Sequence, residues 1–235
     1  MIKAALFDLD GVVFDTESQY SIFWGAIGKE YHPGIPDFAN RIKGQTLVQI
    51  YDKHFSDAKA FAHIEGFKDC KSEQAKITAR LDYFEQHMKY EYIAGFEDFV
   101  RNLKQHGVKC AVVTSSNIQK MLNVYECHPE FKAYFDKVLT SEDFAESKPH
   151  PDCYLKGAAC FGVRPEECVG LEDSFNGLKA VRASGAFTLG LATTNPQEAI
   201  EPYSDYVIAD YVDFTFEDLD KIVSTHRQAD ECALS

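Results

Sequence analysis

Phe7-Asp8-Leu9-Asp10-Gly11-Val12-Val13, preceded by Ala4-Ala5-Leu6, is the stretch from which the rest of the chain is read. The apolar run Ala4–Phe7 has no helical period and reads as a short buried strand. Side chains alternate along a strand, so Asp8 and Asp10 are expected to point the same way, and Gly11 lets the chain turn directly after them. Neighbouring carboxylates repel unless a cation or a proton lies between them. The pair therefore indicates a hard-metal site or a nucleophile with its own acid; the ordinary alternative is a strand end capped by solvated acids.

Working outward, residues from Asp15 to about Tyr92 follow a helical pattern. Tyr20, Phe23, Trp24, Ile27 and Tyr31 share one spacing, Leu47, Ile50, Tyr51 and Phe55 another, and Ile77, Leu81, Phe84 and Met88 a third. Such stripes build a small helical bundle. His32-Pro33-Gly34 and Pro36-Asp37 separate the first helix from the next. From Gly95 onward, helical patterns alternate with short apolar segments at 108–113, 135–139, 168–171, 186–191 and 206–209. Helices are expected around Phe96–Leu103, Met121–Tyr125, Tyr154–Phe161, 174–184 and 197–201. This alternation implies an α/β fold with a parallel sheet covered on both faces. The residues from about Thr225 are polar and read as frayed.

The chain has 235 residues, 45% of them hydrophobic, which suits one large domain or one domain with an insertion. A formal net charge of -13 opposes nucleic-acid binding, because tracking phosphates requires a basic surface. Seven cysteines, at 70, 110, 127, 153, 160, 168 and 232, form no zinc-type spacing and read as reduced thiols in a cytoplasmic protein. With no export-type leader and no apolar run long enough for a bilayer, no membrane association is expected. The oligomeric state is not set by any motif; a monomer is favoured.

In open α/β sheets ligands bind beyond the carboxyl ends of the strands. After the second strand come Thr114-Ser115-Ser116-Asn117, hydroxyls at a helix start, which suit a phosphate oxygen or a plain N-cap. Lys148-Pro149 follows the third, and Glu172-Asp173-Ser174 ends the fourth, where the acids would also favour a helix dipole. Each has an ordinary explanation alone. Together they supply a nucleophile, an anion clamp, a cation and metal ligands, the parts needed for phosphoryl transfer.

With these motifs in order, the chain resembles the haloacid dehalogenase-like superfamily, in its branch of phosphatases and β-phosphoglucomutases. Asp8 to Thr16 looks like the first motif, Val113 to Ser116 the second, Lys148-Pro149 the third and Gly170 to Ser174 the fourth. The resemblance implies a Rossmann-like core over 1–15 and 93–235, with an inserted α-helical cap over 16–92. It implies that Asp8 is the nucleophile, forming an aspartyl-phosphate, and that Asp10 protonates the leaving oxygen and later deprotonates water. Thr114 and Ser115 would hold the phosphoryl group and Lys148 would offset its charge. Mg2+ would lie between Asp8, the Asp10 carbonyl and Asp173, with Glu172 close or bridged by water.

The resemblance further implies a small phosphorylated metabolite, such as a sugar phosphate, as substrate, with cap residues choosing it; Gln19, Tyr20, Trp24, Gln45 and Thr46 are the candidates. An acid at the place of Asp10 argues against dehalogenase chemistry. Mutases of this branch carry a histidine near Tyr20 and an arginine near Leu47, and neither is present here, which favours a phosphatase over a β-phosphoglucomutase-like isomerase. Lys43, Lys76 and Arg80 are the cap cations that would take over such a role. Ser147 stands where glycine is usual, which is expected to alter only the loop. A non-catalytic phosphate- or partner-binding module would not need the intact set of Asp8, Asp10, Thr114, Lys148 and Asp173.

Overall fold

In the computed structural model, which describes residues 1–61 and 63–233, six parallel strands form one sheet. They are β1 Ala4–Phe7, β2 Lys109–Val113, β3 Lys137–Leu139, β4 Cys168–Glu172, β5 Phe187–Leu191 and β6 Tyr206–Ile208, in the spatial order β3-β2-β1-β4-β5-β6. β1 is central, with Phe7 level with Val112 of β2 and with Leu171 of β4. Its four residues are apolar because both faces are covered: Ala5 and Phe7 enter one core cluster, Ala4 and Leu6 the other. Phe7 meets Phe96, Phe99 and Phe135 edge to face, with centroids 6.0, 6.4 and 5.6 Å away. The chain runs outward from β1 to β3 and returns to β4 on the other side of β1. The strand order thus reverses beside β1, which is where a crevice opens at the carboxyl ends.

Between β1 and β2 lies a helical cap that includes Glu17–Tyr31, Phe38–Ile42, Leu47–His54 and Cys70–Gln86. It has its own core, in which Trp24, Ile27, Tyr31, Phe55, Ile77 and Leu81 are buried. Two chain segments join it to the sheet side by side: Asp15 N–H donates to Glu91 C=O at 2.8 Å and Ile93 N–H to Val13 C=O at 2.9 Å. Among the described residues, no helix is long and apolar enough to cross a membrane.

Two expectations need correction. The segment from Thr225 is not frayed, because a helix runs from Phe216 to Ala233. Leu219 and Val223 on that helix are buried, and the Arg227 guanidinium donates to the Glu166 carbonyl, so packing carries the helix beyond the point where composition turns polar. Leu234 and Ser235 lie outside the described residues. The third strand begins at Lys137, not Phe135, since Phe135 closes the short helix Phe131–Tyr134 and packs its ring against Phe7 and Phe96.

Candidate active site

β1 ends at Phe7, so both aspartates stand on the turn that follows it. The Asp8 N–H donates to Leu171 C=O at 3.0 Å, and the N–H groups of Val13 and Phe14 both fold back onto Leu9 C=O. Strand alternation therefore does not align Asp8 with Asp10; this turn brings both into one cavity. Gly11 is required there: its φ is 72°, and a Cβ would collide with the Asp173 carboxylate.

Lys148, only 2% exposed, donates to Asp8 Oδ1 at 2.8 Å and to Glu172 Oε1 at 2.5 Å. Glu172 is fully buried. Its Oε1 also accepts from the Tyr154 hydroxyl at 2.8 Å, and its Oε2 accepts from Asp173 N–H, Ser174 N–H and Ser174 Oγ at 3.2, 3.4 and 3.2 Å. Gly177, in the first turn of the helix Phe175–Ser184, leaves room for that carboxylate, since a Cβ there would overlap it. Asp173 is held by the Thr194 hydroxyl on Oδ2 and by Asn195 Nδ2 on its carbonyl at 3.0 Å.

Oxygens of Asp8, Glu172 and Asp173 all lie within 4.8 Å of one another. An all-oxygen acidic set of this kind fits a hard divalent cation. Glu172 already has five protein donors, whereas Asp8 and Asp173 are each hydrogen-bonded through one carboxylate oxygen. The electrostatics agree with a site short of positive charge. Burial, opposed by Lys148 and reinforced by Glu172 and Asp10, pushes the Asp8 carboxyl up to about 7. Burial, with the charges of Glu17, Glu172 and Asp8, raises Asp173 well above its ordinary value. Burial alone would lower Lys148, but the Asp8 and Glu172 charges more than reverse this and keep it protonated.

Asp10 is gripped at both oxygens. Thr16 Oγ1, at 2.5 Å, and Lys120 Nζ donate to Oδ1, and Ser116 Oγ donates to Oδ2 at 3.0 Å. Thr16 sits at the N-cap position of Glu17–Tyr31 without a capping hydrogen bond, because its hydroxyl turns to Asp10; the helix forgoes about 1 kcal/mol of capping. After β2, capping falls to Asn117, whose Oδ1 accepts from Lys120 N–H at 2.9 Å. Thr114 and Ser115 remain on the cavity wall, with Thr114 Oγ1 accepting from Ser116 N–H at 3.0 Å.

The cavity between core and cap is about 780 Å³. Asp8, Asp10, Thr114, Ser115, Lys148 and Asp173 line its floor; Glu17, Tyr20, Trp24, Lys43, Gln45, Thr46 and Glu85 come from the cap. Thr46 also caps the helix Leu47–His54 and accepts from Ser147 Oγ at 3.3 Å across the cavity mouth. Gln19 is elsewhere: its side chain donates to Asp15 C=O and Lys89 C=O and accepts from Lys89 N–H, clasping the two connecting segments. Lys76 and Arg80 are not on the lining and pair with Glu73 and Glu30. Among the described residues, Lys43 is the one cationic cap side chain on the lining, and it lies 3.7 Å from Glu17.

A profile of the haloacid dehalogenase-like hydrolases matches residues 2–185. The chain belongs to that family. This hydrolase is 26% identical over 225 residues to the β-phosphoglucomutase of Bacillus subtilis (strain 168), covering 92% of this chain and 93% of that protein. It is 26% identical over 185 residues to a phosphorylated carbohydrates phosphatase of Thermotoga maritima, covering 78% and 82%. The crystal structure of β-phosphoglucomutase from Clostridium difficile superposes with a TM-score of 0.76 at 20% identity, over 96% of this chain and 99% of the other.

Sequence reading of the hydrolase missed Glu17, Glu85, Ser116, Lys120 and Tyr154. Glu17 looks like an acid favouring a helix dipole, and Glu85 like a solvated helix residue, yet both face the cavity. Burial, then the charge of Asp10, pushes the Glu17 carboxyl up to about 7, and burial raises Glu85. Only Ser116 carried a signal, as part of the hydroxyl cluster after β2.

Proposed function

We propose that this hydrolase is a Mg2+-dependent phosphatase of a small phosphate ester, a sugar phosphate or similar metabolite. The observation that carries the reading is the separation of two aspartates on one turn: Asp8 is tied to Lys148, and Asp10 is held independently by Thr16, Ser116 and Lys120. Distinct partners give two carboxylates distinct tasks. The free oxygen of Asp8 attacks phosphorus, forming the Asp8–phosphate bond as the phosphorus–leaving-oxygen bond breaks, and Asp10 gives its proton to that oxygen. Water then attacks the aspartyl-phosphate, Asp10 takes a proton from it, and phosphate leaves with Asp8 restored.

Lys148, Thr114 and the Ser115 N–H would neutralise and orient the phosphoryl oxygens, a role supported by their place on the cavity lining beside Asp8. Asp8, Asp173 and the Asp10 carbonyl would hold the Mg2+, while Glu172, saturated with protein donors, would steady Lys148 and the Asp173 backbone. The bound cation supplies charge neutralisation and alignment of the transferring group. A phosphatase fits the cap better than a mutase, because Glu17 and Glu85 add negative charge to the cap side of the cavity, where a bisphosphate would need cations, and the one cap cation there among the described residues, Lys43, is already beside Glu17. Mutase activity is the second reading, favoured by likeness to the B. subtilis enzyme along 92% of the chain. The described cysteines are free thiols, which supports a reducing cytoplasmic setting; a monomer acting on a free metabolite, without nucleic acid or membrane, completes the proposal.

The test is phosphate release with Mg2+ from a panel of sugar and other small phosphates, with glucose 6-phosphate formation from β-glucose 1-phosphate followed in parallel. Free phosphate is expected. Glucose 6-phosphate without free phosphate would establish the mutase instead.

A further inference from the structure

Lys120 lies on the core helix Ile118–Cys127, is 1% exposed, and has its ammonium on Asp10 Oδ1. Burying a lysine costs several kcal/mol unless its charge is met in good geometry. Here two groups meet it, and a third stands behind the second. Besides Asp10, the ammonium sits over the ring of Tyr20, 4.4 Å from its centroid, and the Tyr20 hydroxyl donates at 2.7 Å to Oε1 of Glu85. Tyr20 and Glu85 belong to the cap helices Glu17–Tyr31 and Cys70–Gln86, so Lys120 is a core residue flanked by the cap on one side and Asp10 on the other.

We propose that Lys120 is a positioning residue: it fixes the orientation of the Asp10 carboxylate and ties that orientation to the seated cap through Tyr20 and Glu85. With Thr16 it occupies Oδ1, leaving Oδ2, whose partner is the Ser116 hydroxyl, to meet the leaving oxygen. Thr16 and Ser116 alone leave that choice loose, because a short hydroxyl on each oxygen tolerates rotation of the carboxylate. The long buried stem of Lys120, rooted on a core helix with its ammonium over the Tyr20 ring, does not. Proton delivery then becomes efficient only when Tyr20 and Glu85 are in place above the substrate. The inference rests on the reading of Asp10 as proton donor.

The experiment compares kcat/KM on two esters, the best alkyl phosphate of the panel and p-nitrophenyl phosphate, whose leaving group departs without a proton. This parameter reports the transfer to Asp8 and not the later hydrolysis. For Lys120→Met we expect a loss on the order of 10- to 100-fold on the alkyl ester and less than about 3-fold on the aryl ester. Lys120→Arg restores part of the alkyl activity. Glu85→Gln, which leaves the core untouched, gives a smaller loss of the same selectivity and serves if Lys120→Met does not fold. Equal losses on the two esters, or wild-type discrimination in both Lys120→Met and Glu85→Gln, would overturn the role of Lys120 while leaving the phosphatase intact. A wild-type protein that hydrolyses neither ester overturns the functional reading, and this inference with it.

Discussion

The floor and the roof of the cavity are built on opposite rules. On the floor, nearly every polar group is tied before substrate arrives: Lys148 bridges Asp8 and Glu172, Glu172 takes five donors, and Asp10 takes three. On the roof, Glu17 has a buried oxygen without a hydrogen-bond partner, 3.7 Å from the Lys43 ammonium, Gln45 has another, and apolar side chains such as Trp24, Ile42, Leu47 and Leu81 fill much of the wall. A tied floor suits one reaction, because preorganised charge does not have to rearrange as the reaction proceeds. A roof tied at fewer points, with oxygens of Glu17 and Gln45 left without hydrogen-bond partners, leaves polar groups for a ligand to satisfy. The contrast supports the proposal that the core carries the chemistry and the cap the selection.

The largest effect is expected on the floor. Asp8→Asn keeps the shape of the side chain but removes the proposed nucleophile, and should lower phosphate release by roughly 10⁴-fold or more while the melting temperature holds or rises. Residual activity within about tenfold of wild type would dissolve the distinction between the two walls.

A smaller effect is expected on the roof. Glu17→Lys should raise kcat/KM for a sugar bisphosphate relative to its monophosphate on the order of tenfold, about 1.4 kcal/mol, by replacing like-charge repulsion with attraction. An unchanged ratio, measured on the same two substrates, would remove Glu17 from selection.

A third effect concerns stability. Asp8, Asp173 and Glu17 all have carboxyls raised by burial, Asp8 and Glu17 to about 7. A raised folded-state value means the folded chain holds protons that the unfolded chain has released. The stabilisation is complete below the ordinary carboxylate range and is lost as pH climbs through about 7. Metal binding must displace the same protons, so Mg2+ should stabilise the fold more at about pH 8 than at about pH 5. Saturation at roughly 100-fold over Kd corresponds to about 2.7 kcal/mol, read as a rise in Tm of several degrees. An equal rise at both pH values would contradict the account of the acidic cluster.

The same contrast explains what could be read from the sequence. The order of strands and helices was legible because alternation between short apolar runs and amphipathic helices is a local property, and the core motifs were legible because each follows a strand end. What failed was whatever depends on distant packing. Helix continuation past Thr225 rests on buried Leu219 and Val223. Lys120 becomes a partner of Asp10 only across 110 residues of chain. Gln19, two positions beyond Glu17, clasps the connecting segments instead of facing the cavity. The joint alignment of Asp8 and Asp10 was anticipated for the wrong reason, since the turn at Gly11 and not the pleat of β1 produces it.

The most direct measurement is an acid quench during turnover, followed by mass analysis of the peptide carrying Asp8. The account predicts one added phosphoryl group on Asp8 in the wild-type protein, acid-stable and lost on brief treatment with base or hydroxylamine, and none in Asp8→Asn. Turnover without phosphoryl transfer to Asp8, or transfer to another residue, would contradict it.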